Sequence, residues 1–100
     1  MTLTEFLLAR IAEDEGHARK LLETDRRPVL SLASTVNHPA RLLAECEAKL
    51  RIVDWHLPDH LEPDICTTCA SYAEDYPCRT IRALALPYAD HADFDESWRL

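Results

Sequence analysis

Glycine is nearly absent from this sequence: Gly16 is the only one in 100 residues. Hairpins and tight turns draw on glycine for left-handed backbone, and phosphate-cradling loops need several. An all-β fold and a nucleotide-binding glycine loop are therefore not expected. Basic side chains are also in deficit, 11 against 18 acids, for a net charge of -7. That balance repels phosphate backbones and anionic membrane surfaces at long range. The arginines are scattered, with Arg26 and Arg27 the only adjacent pair. No apolar run approaches the roughly eighteen residues a membrane-spanning helix needs. The N-terminus places Glu5 ahead of its apolar run and lacks the basic start and small-residue cleavage site of a secretory signal. A cytoplasmic protein that engages neither membrane nor nucleic acid is the expectation. With 47% hydrophobic and 29% charged residues, the composition fits one domain over residues 1–100. It divides into a helical hairpin at 1–57, then a Cys-rich loop, a short helix and an aromatic tail at 58–100.

The first segment opens with Thr2 and Glu5, the spacing at which two side chains cap each other's free N–H groups at a helix start. Leu3, Leu7, Ile11, Ala18 and Leu22 then recur at helical intervals and predict one long helix over residues 3 to 23. Gly16 costs that helix roughly 1 kcal/mol relative to alanine. Residues 24 to 37 carry Pro28 and a β-branched, serine-rich run compatible with a loop, a helical turn or a short extended piece. Pro39 suits a first helical position, where its missing N–H would be unpaired anyway. Leu43, Cys46, Leu50, Val53 and Leu57 continue from it as a narrow apolar seam. Glu45 with Lys49 and Glu47 with Arg51, each four apart, add roughly 0.2–0.5 kcal/mol per pair. Pro58 closes this helix just after His56. The fold class expected is mainly α: an antiparallel helical hairpin plus a metal-stapled loop leading into a third short helix. That third helix is placed near Pro77, with Ile81, Leu84 and Ala85 buried and Pro87 at its end. Phe94 and Trp98, four apart, predict a last amphipathic turn laid on the body.

The chemistry lies in the cysteines. Cys66, Cys69 and Cys78 have the spacing C-x2-C-x8-C, and two thiolates separated by two residues can grip one ion from a single turn. In a reducing compartment such a set reads as ligands rather than disulfides. His56, at the expected end of the second helix, supplies an imidazole to close a Cys3His site, with His60 and His91 as competitors for that fourth place. Zinc is the cofactor this ligand set favours. Other readings of the same residues are small hydrophobes in a loop, a redox C-x-x-C, or an iron–sulfur cluster that recruits Cys46 with Cys66, Cys69 and Cys78. The last would require Cys46 to leave its helix seam, where it reads as a core residue. His17 and His38 are isolated. Glu13, Asp14 and Glu15 form an acidic run suited to a solvated face or a basic partner.

The stretch Ala40-Arg41-Leu42-Leu43-Ala44-Glu45, then Ala48-Lys49, Ile52 and His56, leads on to Cys78-x-Thr80-Ile81-Arg82-Ala83-Leu84-Ala85-Leu86-Pro87-Tyr88-Ala89 and the closing Trp98-Arg99. On these residues the chain resembles a family of short proteins from actinobacteria, streptomycetes especially, and their phages, the domain-of-unknown-function family 6221. The resemblance covers nearly the whole length and is most specific in the last third. It implies that His56 and Cys78 belong to a recurring motif and that the position of Cys46 is commonly a plain aliphatic residue. Ala92, Phe94 and Ser97 depart from the family's tail pattern. Because that family has no assigned activity, the resemblance informs fold and compartment only.

Function is expected to be that of a small zinc-binding interaction or regulatory module. Its partner would be another protein, or a second copy of the chain in a homodimer. No catalytic residues are assigned. A metal-dependent hydrolase, the competing enzyme reading, would need an open coordination position and a carboxylate such as Asp75.

Overall fold

The computed structural model describes residues 1–24, 38–69 and 75–100. The described residues include three α-helices: α1 over Leu3–Thr24, α2 over Pro39–Trp55 and α3 over Arg79–Leu84. Short 3-10 turns follow at Leu86–Tyr88 and Glu96–Trp98. Among the described residues there is no strand, only two isolated antiparallel bridges, Pro58 with Cys66 and Ile65 with Asp75. The undecided stretch 25–37 and residues 70–74 lie outside the described residues.

Local chemistry explains where α1 and α2 begin. Thr2 Oγ1 accepts from the Glu5 N–H at 3.1 Å while Glu5 Oε1 accepts from the Thr2 N–H at 3.0 Å, which satisfies two orphan donors reciprocally. Pro39 occupies the first turn of α2, and His38 caps it, its Nδ1 accepting from the Ala40 N–H at 3.2 Å. The isolated His38 is thus a helix cap. His17 is exposed on α1.

The two long helices pack against each other in antiparallel fashion. Glu15 and Arg19, late in α1, line a groove with Ala40 and Leu43, early in α2. Buried residues of the α1 face are Leu3, Phe6, Leu7, Ile11 and Ala18, and those of α2 include Cys46 and Val53. Leu22, counted in the sequence pattern as part of this face, is 41% exposed. Phe6, which that pattern skipped, is fully buried. It is the hub of an aromatic cluster: Trp98, His91, Phe94 and Tyr88 lie around it with ring centroids 5.1, 5.6, 6.0 and 6.4 Å away. Trp98 thus joins the core and Phe94 packs against it, while the tail's acids Asp90, Asp93, Asp95 and Glu96 stay exposed. Arg82 holds the tail in place, its guanidinium donating to the Trp98 carbonyl at 3.1 Å and the Arg99 carbonyl at 2.6 Å.

Charged partners follow tertiary contacts as well as sequence spacing. Arg51 pairs with Glu47 at 2.9 Å as the spacing predicts. Glu45 instead meets Arg41 at 3.3 Å, and Lys49 turns to Tyr88, donating to its hydroxyl at 3.4 Å and covering its ring. Tyr88 in turn donates to Asp14 at 2.8 Å, so one phenol links the tail to both long helices. The acidic run is occupied from within: Glu13 pairs with Arg10 and Glu15 with Arg19.

Candidate metal centre

His56 ends α2. Its N–H donates to the Val53 carbonyl at 3.1 Å, and its backbone leaves helical geometry, φ -118° and ψ 39°. Pro58, two residues on, cannot continue the helix. The chain then folds back beneath the helix end, with the Thr67 N–H and hydroxyl both donating to the Leu57 carbonyl, at 2.9 and 2.8 Å. The Thr68 hydroxyl donates to the Trp55 carbonyl. Thr68 thus satisfies a carbonyl that the helix C-terminus leaves unpaired, and Thr67 the carbonyl of Leu57 just beyond the cap. They fix both cysteines against the end that carries His56. The cysteine spacing alone does not announce this role of the threonines; the signal available was that both spacer residues carry hydroxyls.

The approach to Cys66 is shaped by Asp59. Its Oδ1 accepts from the Leu61 and Glu62 N–H groups at 2.8 and 3.0 Å, and these bonds hold its carboxyl below the usual carboxylate range. From the other side Tyr76 anchors the segment before Cys78. Its N–H donates to the Asp64 carbonyl at 2.7 Å, and its hydroxyl meets the Thr4 hydroxyl at 2.6 Å and accepts from the Thr4 N–H at 3.1 Å. The peptide bond between Tyr76 and Pro77 is cis. Cys78 then stands at the N-cap of α3 in extended backbone, its carbonyl accepting from the Arg82 N–H at 3.1 Å. The helix predicted near Pro77 begins at Arg79 because Cys78 serves as its cap.

These elements bring His56, Cys66, Cys69 and Cys78 together, with their ligand atoms all within 4.8 Å of one another. The Nδ1 atom of His56 lies 3.4 Å from Cys66 Sγ, 3.4 Å from Cys78 Sγ and 3.7 Å from Cys69 Sγ. Hydrogen bonding does not account for this. An imidazole nitrogen offers one proton or one lone pair, enough to serve one sulfur rather than three. Cys66 and Cys78 are buried and join the hydrophobic core, whereas His56 and Cys69 are half-buried. Burial pushes the Cys69 thiol up to about 12, and the sulfurs of Cys66 and Cys78 add to the effect. The Cys69 thiol thus holds its proton by itself, and a bound cation would reverse that because a coordinating thiol is deprotonated. The donor set could hold a metal ion.

Other candidates fall elsewhere. Cys46 is 3% exposed in the core, ten residues before His56 on α2 and so about 15 Å along the helix axis. Burial, with Asp14 nearby, raises its thiol above the ordinary range. The four-cysteine cluster is thereby corrected: His56, not Cys46, is the fourth member of the group. His60 is exposed on the loop. His91 packs on Phe6, and its Nδ1 accepts from the Asp93 N–H at 3.0 Å beside the Arg10 guanidinium. Neither His60 nor His91 joins the group, and Asp75, exposed and bridged to Ile65, is likewise outside it. All four cysteines are free of disulfides.

Fold and donor set together define a helical protein with a Cys3His centre able to hold a metal ion. The chain belongs to the family of unknown function DUF6221, whose model matches residues 1–100. No curated protein and no solved structure matches it. No helix among the described residues is long and apolar enough to cross a membrane.

Proposed function

We propose that this chain is a zinc-stapled, non-catalytic interaction module of the cytoplasm, in which the metal fixes a loop and a short helix against a helical hairpin. The observation that carries the reading is the placement of one imidazole nitrogen 3.4–3.7 Å from three sulfurs. For bonds of about 2.0–2.1 Å to nitrogen and about 2.3 Å to sulfur, a tetrahedral zinc site has N···S edges near ~3.6 Å. Two thiolates from a two-residue spacer, a third at a helix start and one histidine form a donor set that favours zinc over harder cations.

With four protein donors the tetrahedron is complete, so no position stays open for the water or substrate that a catalytic zinc requires. That supports a structural role. Reduced cysteines suit the reducing compartment such a site needs. A partner would meet an acidic chain of net charge -7. It would also meet an exposed indole, Trp55, 57% accessible beside the site-bearing His56. Tryptophan is a frequent anchor of protein interfaces.

The test is elemental analysis of protein purified without added metal, followed by capture of partners on holo-protein and on chelated protein. About one zinc per chain, in a tetrahedral site, and capture that depends on the metal are expected. Folded protein that carries no metal would overturn the reading.

A further inference from the structure

The four donors are not equally sheltered. Cys66 and Cys78 are 0% and 1% exposed, while Cys69 is half-buried and so the most exposed of the three ligand cysteines. The remaining cysteine, Cys46, is buried in the hairpin away from the group. A metal-bound sulfur is held as thiolate, and oxidation of cysteine follows thiolate character and exposure together. Cys69 alone combines the two. Its neighbours Cys66 and Cys78 have sulfurs within 4.8 Å, close enough for either to act as the resolving thiol after a small movement.

We propose that the metal centre is a redox-releasable staple, with Cys69 as the point of entry for a peroxide-class oxidant. The proposal rests on the zinc reading above. In the first step the Cys69 thiolate attacks a peroxide oxygen: an S–O bond forms, the O–O bond breaks, and the second oxygen leaves as hydroxide or alkoxide. The product is a sulfenic acid once it has taken a proton. In the second step the thiolate of Cys66 or Cys78 attacks that sulfur, an S–S bond forms, and hydroxide leaves. Two electrons pass from two sulfurs to the peroxide. The metal then keeps one thiolate and one imidazole, half its donors, and dissociates.

The consequence reaches α1. Between Cys69 and Cys78 lies Tyr76, whose hydroxyl engages the N–H and hydroxyl of Thr4 in the first turn of that helix. Releasing the loop therefore frees the start of the longest helix as well. A thiol reductant that reopens the disulfide restores the donor set, so the switch is reversible.

The experiment treats metal-loaded full-length protein with graded hydrogen peroxide. Released zinc is followed with a chromogenic chelator, and each cysteine is mapped by differential alkylation and mass spectrometry. The metal content before oxidant is measured on the same sample. The expected result is loss of all bound zinc in step with a disulfide that contains Cys69, with Cys46 unmodified and metal binding recovered on adding reductant. Cys46→Ala protein should behave identically, which separates the site from the core thiol. Protein that holds zinc and keeps it under peroxide overturns this proposal while leaving the zinc reading intact. So does a first modification at Cys46, or a Cys66–Cys78 disulfide that omits Cys69. Protein that holds no metal before oxidant overturns both.

Discussion

Removing the metal should cost this protein most of its stability, and the size of the effect can be worked from the site. His56, Cys66, Cys69 and Cys78 come from the end of α2, from a loop and from the cap of α3. Cys66 and Cys78 sit in the same core as Leu3, Phe6 and Ile81. An ion held by these donors would therefore crosslink three elements against the hydrophobic core. A ligand present at a thousandfold excess over its dissociation constant stabilises the folded state by about 4.1 kcal/mol. The full apparent energy of a structural zinc site is about 10–16 kcal/mol, as large as the whole stability of a typical domain. For a domain of this size about 1 kcal/mol moves the melting temperature by about 4–8 °C. Even the smaller figure thus lowers the midpoint by about 16–32 °C. The assay is a thermal scan by far-UV circular dichroism, with and without a chelator, reductant being present in both. The expected outcome is a drop of at least that size, or a chelated chain already unfolded at room temperature. An unchanged midpoint in protein shown to be metal-free would refute the reasoning.

Phe6→Ala should destabilise by about 3–5 kcal/mol, the usual cost of emptying a buried phenylalanine site; a urea titration giving under about 1 kcal/mol would mean the aromatic cluster is not packed around it. Gly16→Ala should stabilise by about 0.5–1 kcal/mol, because an added Cβ meets nothing within 4 Å on the exposed mid-helix surface; a loss of stability would contradict the placement of Gly16. The Thr2 backbone N–H, and then its hydroxyl, hold the Glu5 carboxyl below its ordinary value of 4.5. A depressed folded value means that this contribution is present above pH 4.5 and is lost as pH falls through the lower folded value. Glu5→Gln should flatten that part of the acid limb in melts run on metal-free protein that still folds, or in metal-loaded protein above the pH of metal release.

What could be read in the sequence was local. The Thr2 and Glu5 capping box, Pro39 at a helix start and Pro58 after a helix end each depend on neighbours a few residues away, and each lies where its spacing puts it. The grouping of the four candidate ligands was legible for the same reason. Cys66 and Cys69 are joined by two residues, His56 is fixed by the end of α2, and Cys78 by the start of α3, so only the closing of one loop was left to tertiary structure. The parts that were not legible depend on distant partners. Lys49 is drawn from Glu45 to Tyr88, 39 positions on, and Tyr76 caps a helix start 72 positions earlier. No spacing announces either. Phe6 was passed over because a run of leucines at regular intervals already filled the face, although Phe6 lies three residues beyond Leu3 on that same side. Leu22 was assigned to the core by extending the period to the last turn of α1, where the residue is partly exposed.

The central claim is tested most directly by X-ray absorption at the zinc edge on protein purified without added metal. One nitrogen at about 2.0–2.1 Å and three sulfurs at about 2.3 Å are expected. A shell of oxygen ligands, or fewer than three sulfurs in fully reduced protein, would contradict the account.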